Sequence, residues 1–405
     1  MALQALPPGS PAGLGKVRLL AHARRHADQP PSLSMSKLVP RSATRRVKVT
    51  RLIPVLDFGG VETTFALEAD RIDRDRFDFQ VCTFWKPGAA ADRIRAAGID
   101  VTSLEVDPSI RNPAATRALY RYLRRQRPDI LHASIGEANF HAALVGRVGG
   151  ARRVVMEEQG LPSRQLAGRL VHAGLYRMVD AVVGVSKASC DYLVDREWAP
   201  PGRVHLIYNA VADRFLHAPP GPRVADERFR FLTVGRLVEV KNQALLVRAF
   251  AGIATDLPQA ELTIIGDGPL KGELQALVRQ LGLEGRVHLP GFDNNVVALL
   301  DSADCFALPS ISEGFGIAAV EAMARHLPVI VSDAGALPEV AQRVGTQWIV
   351  PACDLEGWTA AMRQMATLDP MLRADLRRTA RSIAESFSEQ RHVQALEGLY
   401  DQLMG

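Results

Sequence analysis

The sequence predicts an α/β protein of two Rossmann-like domains, each a doubly wound parallel sheet, facing one another across a cleft. Three observations carry that expectation. Short β-branched runs alternate with longer stretches of helical periodicity, which implies parallel strands joined by helices that cover both faces of a sheet. The alternation falls into two series, parted by "HAPPGPRVADER" at residues 217–228, a Pro-, Gly- and charge-rich stretch suited to a linker. The length, 405 residues, also suits two domains.

Residues 1–46 contain eight Lys or Arg and one acid, Asp28. Rich in Pro, Gly, Ser and Arg, this segment cannot bury enough apolar surface to order itself and is expected to be a disordered basic tail. Met35 offers an alternative start of translation. Residues 47–216 form the first domain, with strands expected in "VKVTRLIPVL", "FQVCTF", "DVTSL", "DILHAS", "RVVMEE", "AVVGVS" and "VHLIYN". Residues 229–385 form the second, with strands at "FRFLTVG", "ELTIIG", "RVHLPG", "CFALPS" and "LPVIVSD". Between them, segments such as "NQALLVRAFAGIA" and "LKGELQALVRQLGL" space their apolar residues as helices do.

Composition excludes several classes. No stretch approaches the roughly 18 to 20 apolar residues of a membrane span, and the N-terminus lacks the continuous apolar run of a signal peptide. Cys82, Cys190, Cys305 and Cys353 stand singly, without metal or disulfide spacing, as in a reduced cytoplasmic protein. The tail carries +7, residues 47–215 carry +4 and residues 216–405 carry −6. A positive excess held mainly in the tail disfavours a nucleic-acid binder. An NAD oxidoreductase is disfavoured too, because no G-x-G-x-x-G opens the first strand-helix turn.

Parallel sheets bind ligands at the carboxyl ends of their strands. In the second series these ends carry "VGRLVEVKN" with Arg236 and Lys241, "IIGDGPL" with Gly266, "LPGF" with Phe292, and "EGFGIAAVE" with Glu313, Gly314, Phe315, Gly316 and Glu321. A glycine after one strand is commonly a tight turn and a loop cation commonly solvated, but their coincidence at one sheet edge points to a site. Gly314 and Gly316 allow backbone to approach a ligand, and the helix that follows offers unpaired N–H groups and a positive dipole end to phosphate. Arg236 and Lys241 could hold a diphosphate without a metal. Glu321 is then placed to accept hydrogen bonds from ribose, and Glu313 to face what lies beyond the phosphates.

These motifs resemble those of the retaining glycosyltransferases of the GT-B fold, family 4. The matching pieces are "GGVETT" (59–64), "VGVSK" (183–187), "LIYNAV" (206–211), "VGRLVEVKN" (234–242), "GDGPL" (266–270), "LPSISEGFGIAAVEAMA" (308–324) and "GALPEV" (335–340). The resemblance implies a nucleotide-diphosphate sugar as donor substrate, a glycan or lipid-linked saccharide as acceptor, no cofactor and no metal. It implies that Arg236 and Lys241 neutralise the diphosphate, that Glu321 binds ribose and that Glu313 contacts the donor sugar. The amides of Gly314, Phe315 and Gly316 would meet hydroxyls and phosphate, Gly60 would bring backbone to the cleft from the first, acceptor-side domain, Gly266 would help bind donor, and Phe292 would border the base. Residues 386–405 would form a helix returning to the first domain. The implied setting is bacterial surface polysaccharide assembly, in the cytoplasm or on the inner face of its membrane.

One departure stands out: Gln159, in "VVMEEQG", occupies the place of a histidine that in this family often contacts the donor sugar. Gln cannot titrate near neutral pH, so a degenerate nucleotide-sugar-binding protein stays open as an alternative, and so does a nucleotide-sugar epimerase, which can use the same two-domain architecture. "LHASIGEANFHAAL" places His132, Glu137, Asn139 and His141 at a strand end suited to acceptor binding, although Glu or Asn there can simply cap a helix. The Asp-x-Asp of "DRDRFD" reads as a solvated loop rather than a metal site. Arg117, Arg121, Arg124 and Arg125 stand opposite Leu119, Tyr122 and Leu123 on one helix, a basic stripe that could meet anionic lipid or solvent.

Overall fold

The computed structural model describes residues 45–56, 60–162, 164–219 and 227–405. Most of the basic tail and most of the expected linker therefore lie outside the described residues; of the former only Arg45 and Arg46 are described, and Arg45 donates to Asp129 Oδ1 at 2.6 Å.

In the N-terminal half, strands β1 (Val47–Ile53), β2 (Phe77–Thr83), β3 (Asp100–Ser103), β4 (Ile130–Ser134), β5 (Arg153–Glu158), β6 (Ala181–Gly184) and β7 (Val204–Leu206) alternate with helices α1 (Gly60–Arg71), α2 (Ala89–Ala96), α3 (Pro113–Gln126), α4 (Gly136–Gly149), α5 (Leu166–Met178) and α6 (Lys187–Asp195). After α7 (Asp213–His217), the C-terminal half repeats the scheme with β8 (Phe229–Val234), α8 (Gln243–Ala254), β9 (Ala260–Ile265), α9 (Lys271–Gln280), β10 (Val287–Gly291), α10 (Val296–Ser302), β11 (Cys305–Leu308), α11 (Ile317–Ala324), β12 (Val329–Ser332), α12 (Leu337–Ala341) and β13 (Ile349–Val350). Helices α13 (Leu355–Ala366), α14 (Pro370–Ala384) and α15 (Glu389–Met404) close the chain.

All pairings within both sheets are parallel. The seven strands of the first sheet run β3-β2-β1-β4-β5-β6-β7 and the six of the second run β10-β9-β8-β11-β12-β13. Central strands such as β4, β6, β11 and β12 are buried at every residue, as strands covered by helices on both faces must be. Their apolar runs are therefore continuous rather than alternating, which is the pattern the sequence displays. Winding reverses between β1 and β4 and again between β8 and β11. At such reversals the loops diverge to opposite faces and leave a crevice beyond the strand ends.

Two details differ from the sequence reading. "VHLIYN" forms only the three residues of β7, and β13 was not expected because two residues, Ile349 and Val350, carry no readable period.

The two halves interlock at several places, two of which involve α15 and α12. Helix α15 returns across the first sheet: His392 Nδ1 bonds Tyr208 O at 2.7 Å, Arg76 donates to Glu397 at 3.0 Å, and Arg153 donates to Leu403 O at 2.7 Å. In the other direction Glu339, on α12, accepts from the backbone N–H groups of Lys187 (3.1 Å) and Ala188 (3.2 Å) and from the Tyr208 hydroxyl. A carboxylate at the N-terminus of α6 meets both its unpaired amides and its positive dipole end, so this contact fastens the second half to the first.

Candidate functional site

The crevice at the second reversal is a cavity of about 390 Å³ lined from both halves. Val234, Gly235 and Lys241 line it from the end of β8, residues 313–316 from the loop after β11, and Ile317, Ala318 and Glu321 from α11; Thr63, Gln159 and Asn209 close it from the N-terminal half. Lys241, Glu313, Gly314, Phe315, Gly316, Glu321 and Gln159, all expected at the site, are thus brought together.

Two glycines explain why the backbone can form this wall. A Cβ on Gly314 would stand 2.3 Å from Gln159 O and 2.7 Å from the Gly160 Cα, so only glycine lets the two halves approach here. Gly316 has φ +87, and a Cβ there would stand 2.5 Å from Leu337 Cδ2, so it turns the chain into α11 in a conformation other residues resist. The Phe315 ring points away from the opening into an aromatic cluster, 6.1 Å from Tyr208 and 5.2 Å from Phe387, which leaves its backbone at the cavity.

The charged groups are arranged in sequence. Lys241 pairs with Glu313, whose carboxylate also accepts from Ser310 Oγ at 2.9 Å. Ser310 is fixed in turn by Ser332 Oγ, which donates to the Ser310 carbonyl at 2.5 Å. Glu321 has partial solvent access at the cavity wall, and burial pushes its carboxyl up to about 7, with the Arg214 charge opposing. Gln159 donates to Glu157 and accepts from Asn209 Nδ2 at 3.1 Å, so its amide is held with one orientation.

Other expected site residues lie elsewhere. Arg236 is exposed and stands just outside the lining that includes Gly235. Gly266 does not itself line the cavity but packs against Gly235, which does: a Cβ there would stand 1.9 Å from Gly235 O. Phe292 is 67% exposed. Gly60 opens α1, the helix that delivers Thr63 to the cavity. His132 and Asn139, expected to face an acceptor, are instead sealed in the core at 0% exposure. His132 Nδ1 bonds the Tyr400 hydroxyl at 2.9 Å and its Nε2 lies 3.1 Å from Glu157 Oε2; Asn139 Nδ2 donates to Glu157 O at 2.9 Å. His141 is likewise buried, bonded to Thr116 and Pro108 O. Their polar atoms are consumed by neighbours, so they position rather than contact.

Behind Gln159 lies a buried charge network. Arg51 donates to Glu68 at 2.7 and 2.9 Å and meets Glu157 at 2.9 Å. Burial alone would raise Glu157, but Arg51 together with the hydrogen bonds of His132 and Ser134 outweighs it and holds this carboxyl well below the usual range. Burial, with Arg51 adding to it, pushes His132 down to about 4, so that it is neutral near pH 7.

Glu137, alone of the expected acceptor residues, reaches an opening. It lines a second cavity of about 420 Å³ with Asp107, Ile110, Gly136, Arg164 and His172, at the ends of β3, β4 and β5. Arg164, fixed there by Glu158 (3.0 Å) and Glu197 (3.1 Å), and Asn209 and Thr63 at the first cavity are residues that sequence reasoning missed. For Asn209 and Thr63 the signal was present in "LIYNAV" and "GGVETT"; for Arg164 there was none. The Asp-x-Asp of "DRDRFD" lies at the turn before β2, where Asp73 Oδ1 accepts from the Asp75 N–H at 3.0 Å. Among the described residues no group of His, Cys, Asp or Glu is arranged to hold a metal.

Comparison with known proteins agrees with this geometry. Residues 58–215 match the family model described as Glycosyltransferase Family 4, and residues 219–383 match that described as Glycosyl transferases group 1. An N-acetylgalactosamine-N,N'-diacetylbacillosaminyl-diphospho-undecaprenol 4-alpha-N-acetylgalactosaminyltransferase of Campylobacter jejuni is 32% identical over 207 residues, 49% of this chain and 56% of the relative. The chain thus aligns with only about half the length of that relative. A UDP-Gal:alpha-D-GlcNAc-diphosphoundecaprenol alpha-1,3-galactosyltransferase of Escherichia coli is 23% identical across 89% of this chain and 98% of its own length. In structure, Anabaena HepE in complex with UDP superposes with a TM-score of 0.75 at 21% identity, covering 88% of this chain and all of that one.

Proposed function

Because the chain belongs to glycosyltransferase family 4 and has the GT-B architecture, we propose that it transfers a sugar, with retention, from a nucleotide diphosphate to a lipid-linked saccharide in bacterial glycan assembly. The observation that carries this reading is the convergence of Lys241, Glu313, the backbone of residues 314–316 and Glu321 on one cavity between the halves. Two of the relatives described above carry undecaprenyl diphosphate acceptors in their names, which supports the lipid-linked class.

In this reading the diphosphate lies against the start of α11 and draws Lys241 from Glu313 into contact with its oxygens. Where it emerges past Gly235 it meets Arg236. Glu321 accepts from the ribose hydroxyls, and Glu313, released from Lys241, accepts from the donor sugar. The acceptor oxygen attacks the anomeric carbon on the face from which the diphosphate leaves. One carbon–oxygen bond forms as the bond to phosphate breaks, and the departing phosphate oxygen takes the acceptor's proton. No protein base is required, which accords with Gln159 standing where an imidazole would be expected. The chief contribution of the protein is stabilisation of charge on the leaving group.

A panel of UDP-, GDP- and ADP-sugars, read by thermal stabilisation and then by transfer to undecaprenyl-diphosphate saccharides, tests this. One base should stabilise and one sugar should be transferred. Stabilisation without transfer or hydrolysis of any sugar would identify a degenerate binder, the reading that Gln159 favours. Isomerised nucleotide sugar without acceptor would identify an epimerase.

A further inference from the structure

Helix α5 buries Ala173, Leu175 and Tyr176 against the sheet, yet its opposite side is also apolar. Leu166, Leu170, Val171 and Met178 are each about half or more exposed, Leu170 at 59%. At 3.6 residues per turn these four, with Ala167 and Gly174, fall on one contiguous arc. Only Arg177 interrupts it, and its guanidinium folds back to Ala173 O at 2.7 Å. A helix apolar on both sides is expected to be covered. Helix α4 packs between α5 and α3, and it extends the patch with exposed Leu144 and Val148.

The flank of this patch is cationic. Arg117, Arg121, Arg124 and Arg125 on α3 are exposed and have no ion-pair partner among the described residues. Helices α3, α4 and α5 together carry seven arginines against one carboxylate, Glu137. An apolar strip beside a row of unpaired arginines is complementary to a bilayer with anionic headgroups. It is a poor match for a second copy of the chain, since isologous pairing would set like charges together. The second cavity, lined by Ile110, Glu137 and His172 of α5, borders the same surface.

We propose that the outer faces of α3, α4 and α5 dock on an anionic lipid bilayer, with the α5 arc entering the headgroup layer and the α3 arginines holding phosphates. This deepens the lipid-linked acceptor reading and rests on it, because docking sets the second cavity where such an acceptor is embedded.

Co-sedimentation of the full chain tests the surface with vesicles of phosphatidylcholine alone and of equimolar phosphatidylcholine and phosphatidylglycerol. The chain should partition to the anionic vesicles and be released by salt. Leu170→Asp should lower partition at least about tenfold, and Arg121→Ala and Arg124→Ala about fivefold each. Thermal stabilisation by UDP, GDP or ADP should be unchanged in every variant. All variants keep the basic N-terminal segment, so the differences report on the helices. Equal partition to both vesicle types, or variants that partition like the unsubstituted chain, would overturn the proposal. So would a dimer that Leu170→Asp dissociates. An unsubstituted chain that nucleotide stabilises but that binds neither vesicle type defeats the surface alone, whereas an unsubstituted chain that binds anionic vesicles without nucleotide stabilisation supports the surface and defeats the transferase reading.

Discussion

Two cation–carboxylate systems, one on either side of the first cavity, use the same chemistry to opposite ends. Lys241 and Glu313 form a pair that faces open volume, with Ser310 as the one further hydrogen-bond partner of the carboxylate among the described residues. Arg51 is enclosed between Glu68 and Glu157, and its guanidinium also stacks 4.3 Å from the Phe65 ring centroid. The lysine can exchange its carboxylate for a ligand oxygen; the arginine has no room to exchange anything. Surroundings, more than residue type, separate a site from a scaffold here.

The sharpest way to break this comparison is to remove each cation. Arg51→Ala would leave Glu68 and Glu157 buried without their partner, and loss of one member of a buried pair costs about 3–5 kcal/mol. Chemical denaturation should show that loss, together with weaker packing of α15 through His392 and Glu68 (3.2 Å). A variant as stable as the original would mean that water reaches the network. Lys241→Ala should leave stability nearly unchanged and lower turnover by roughly 100- to 1,000-fold, as removal of one preorganised donor to developing charge does. Turnover within a few-fold of the original would assign the leaving charge to Arg236 or the α11 amides instead.

The contrast also explains which parts were legible in the sequence. The donor side was readable because its residues follow strands directly and lie within short segments: "VGRLVEVKN" and "EGFGIAAVE" name most of one wall. The acceptor side misled because His132 and Asn139 look the same in sequence whether they face solvent or are satisfied internally. Their state is set by Glu157 and by Tyr400, and Tyr400 lies 268 positions from His132. The outer arc of α5 was equally silent, since a helix apolar all round reads as a buried one. The parallel strands were legible in the main; β13 failed for shortness alone.

The sealed network makes a further prediction through His132. Its folded pKa is about 4, below the ordinary value near 6.5. Between those values the unfolded chain binds a proton that the folded chain refuses, so stability falls as pH falls from about 6.5 toward about 4, by at most about 1.4 kcal/mol per unit. His392 works in the opposite sense: burial opposes its charge, but Glu68 with the Tyr208 carbonyl and the Glu157 charge outweighs that and raises its pKa, so it contributes stability below its unfolded pKa that is lost as pH rises through the folded one. The difference between the unsubstituted chain and His132→Gln, measured by urea unfolding at pH 7 and pH 5, isolates His132. An unchanged difference at the two pH values would show that the folded imidazole takes up its proton at the same pH as the unfolded one.

The smallest effect tests the open side of the comparison. The Glu321 carboxyl is pushed up to about 7, because burial disfavours its charge and the Arg214 charge offsets that only in part. If the ionised form accepts from ribose hydroxyls, binding below that pH must first remove a proton, and affinity should fall by up to tenfold per unit as pH drops from 7. Above pH 8 it should level off. A nucleotide sugar is the right probe, because its diphosphate diester does not itself titrate there, whereas a free nucleoside diphosphate does. Glu321→Gln keeps an acceptor oxygen but removes the titration, so its affinity should be flat across this range and about fivefold weaker on the plateau, the difference between a charged and a neutral acceptor. Parallel pH profiles for the two proteins would place the ribose away from α11 and leave the raised carboxyl as a consequence of burial alone.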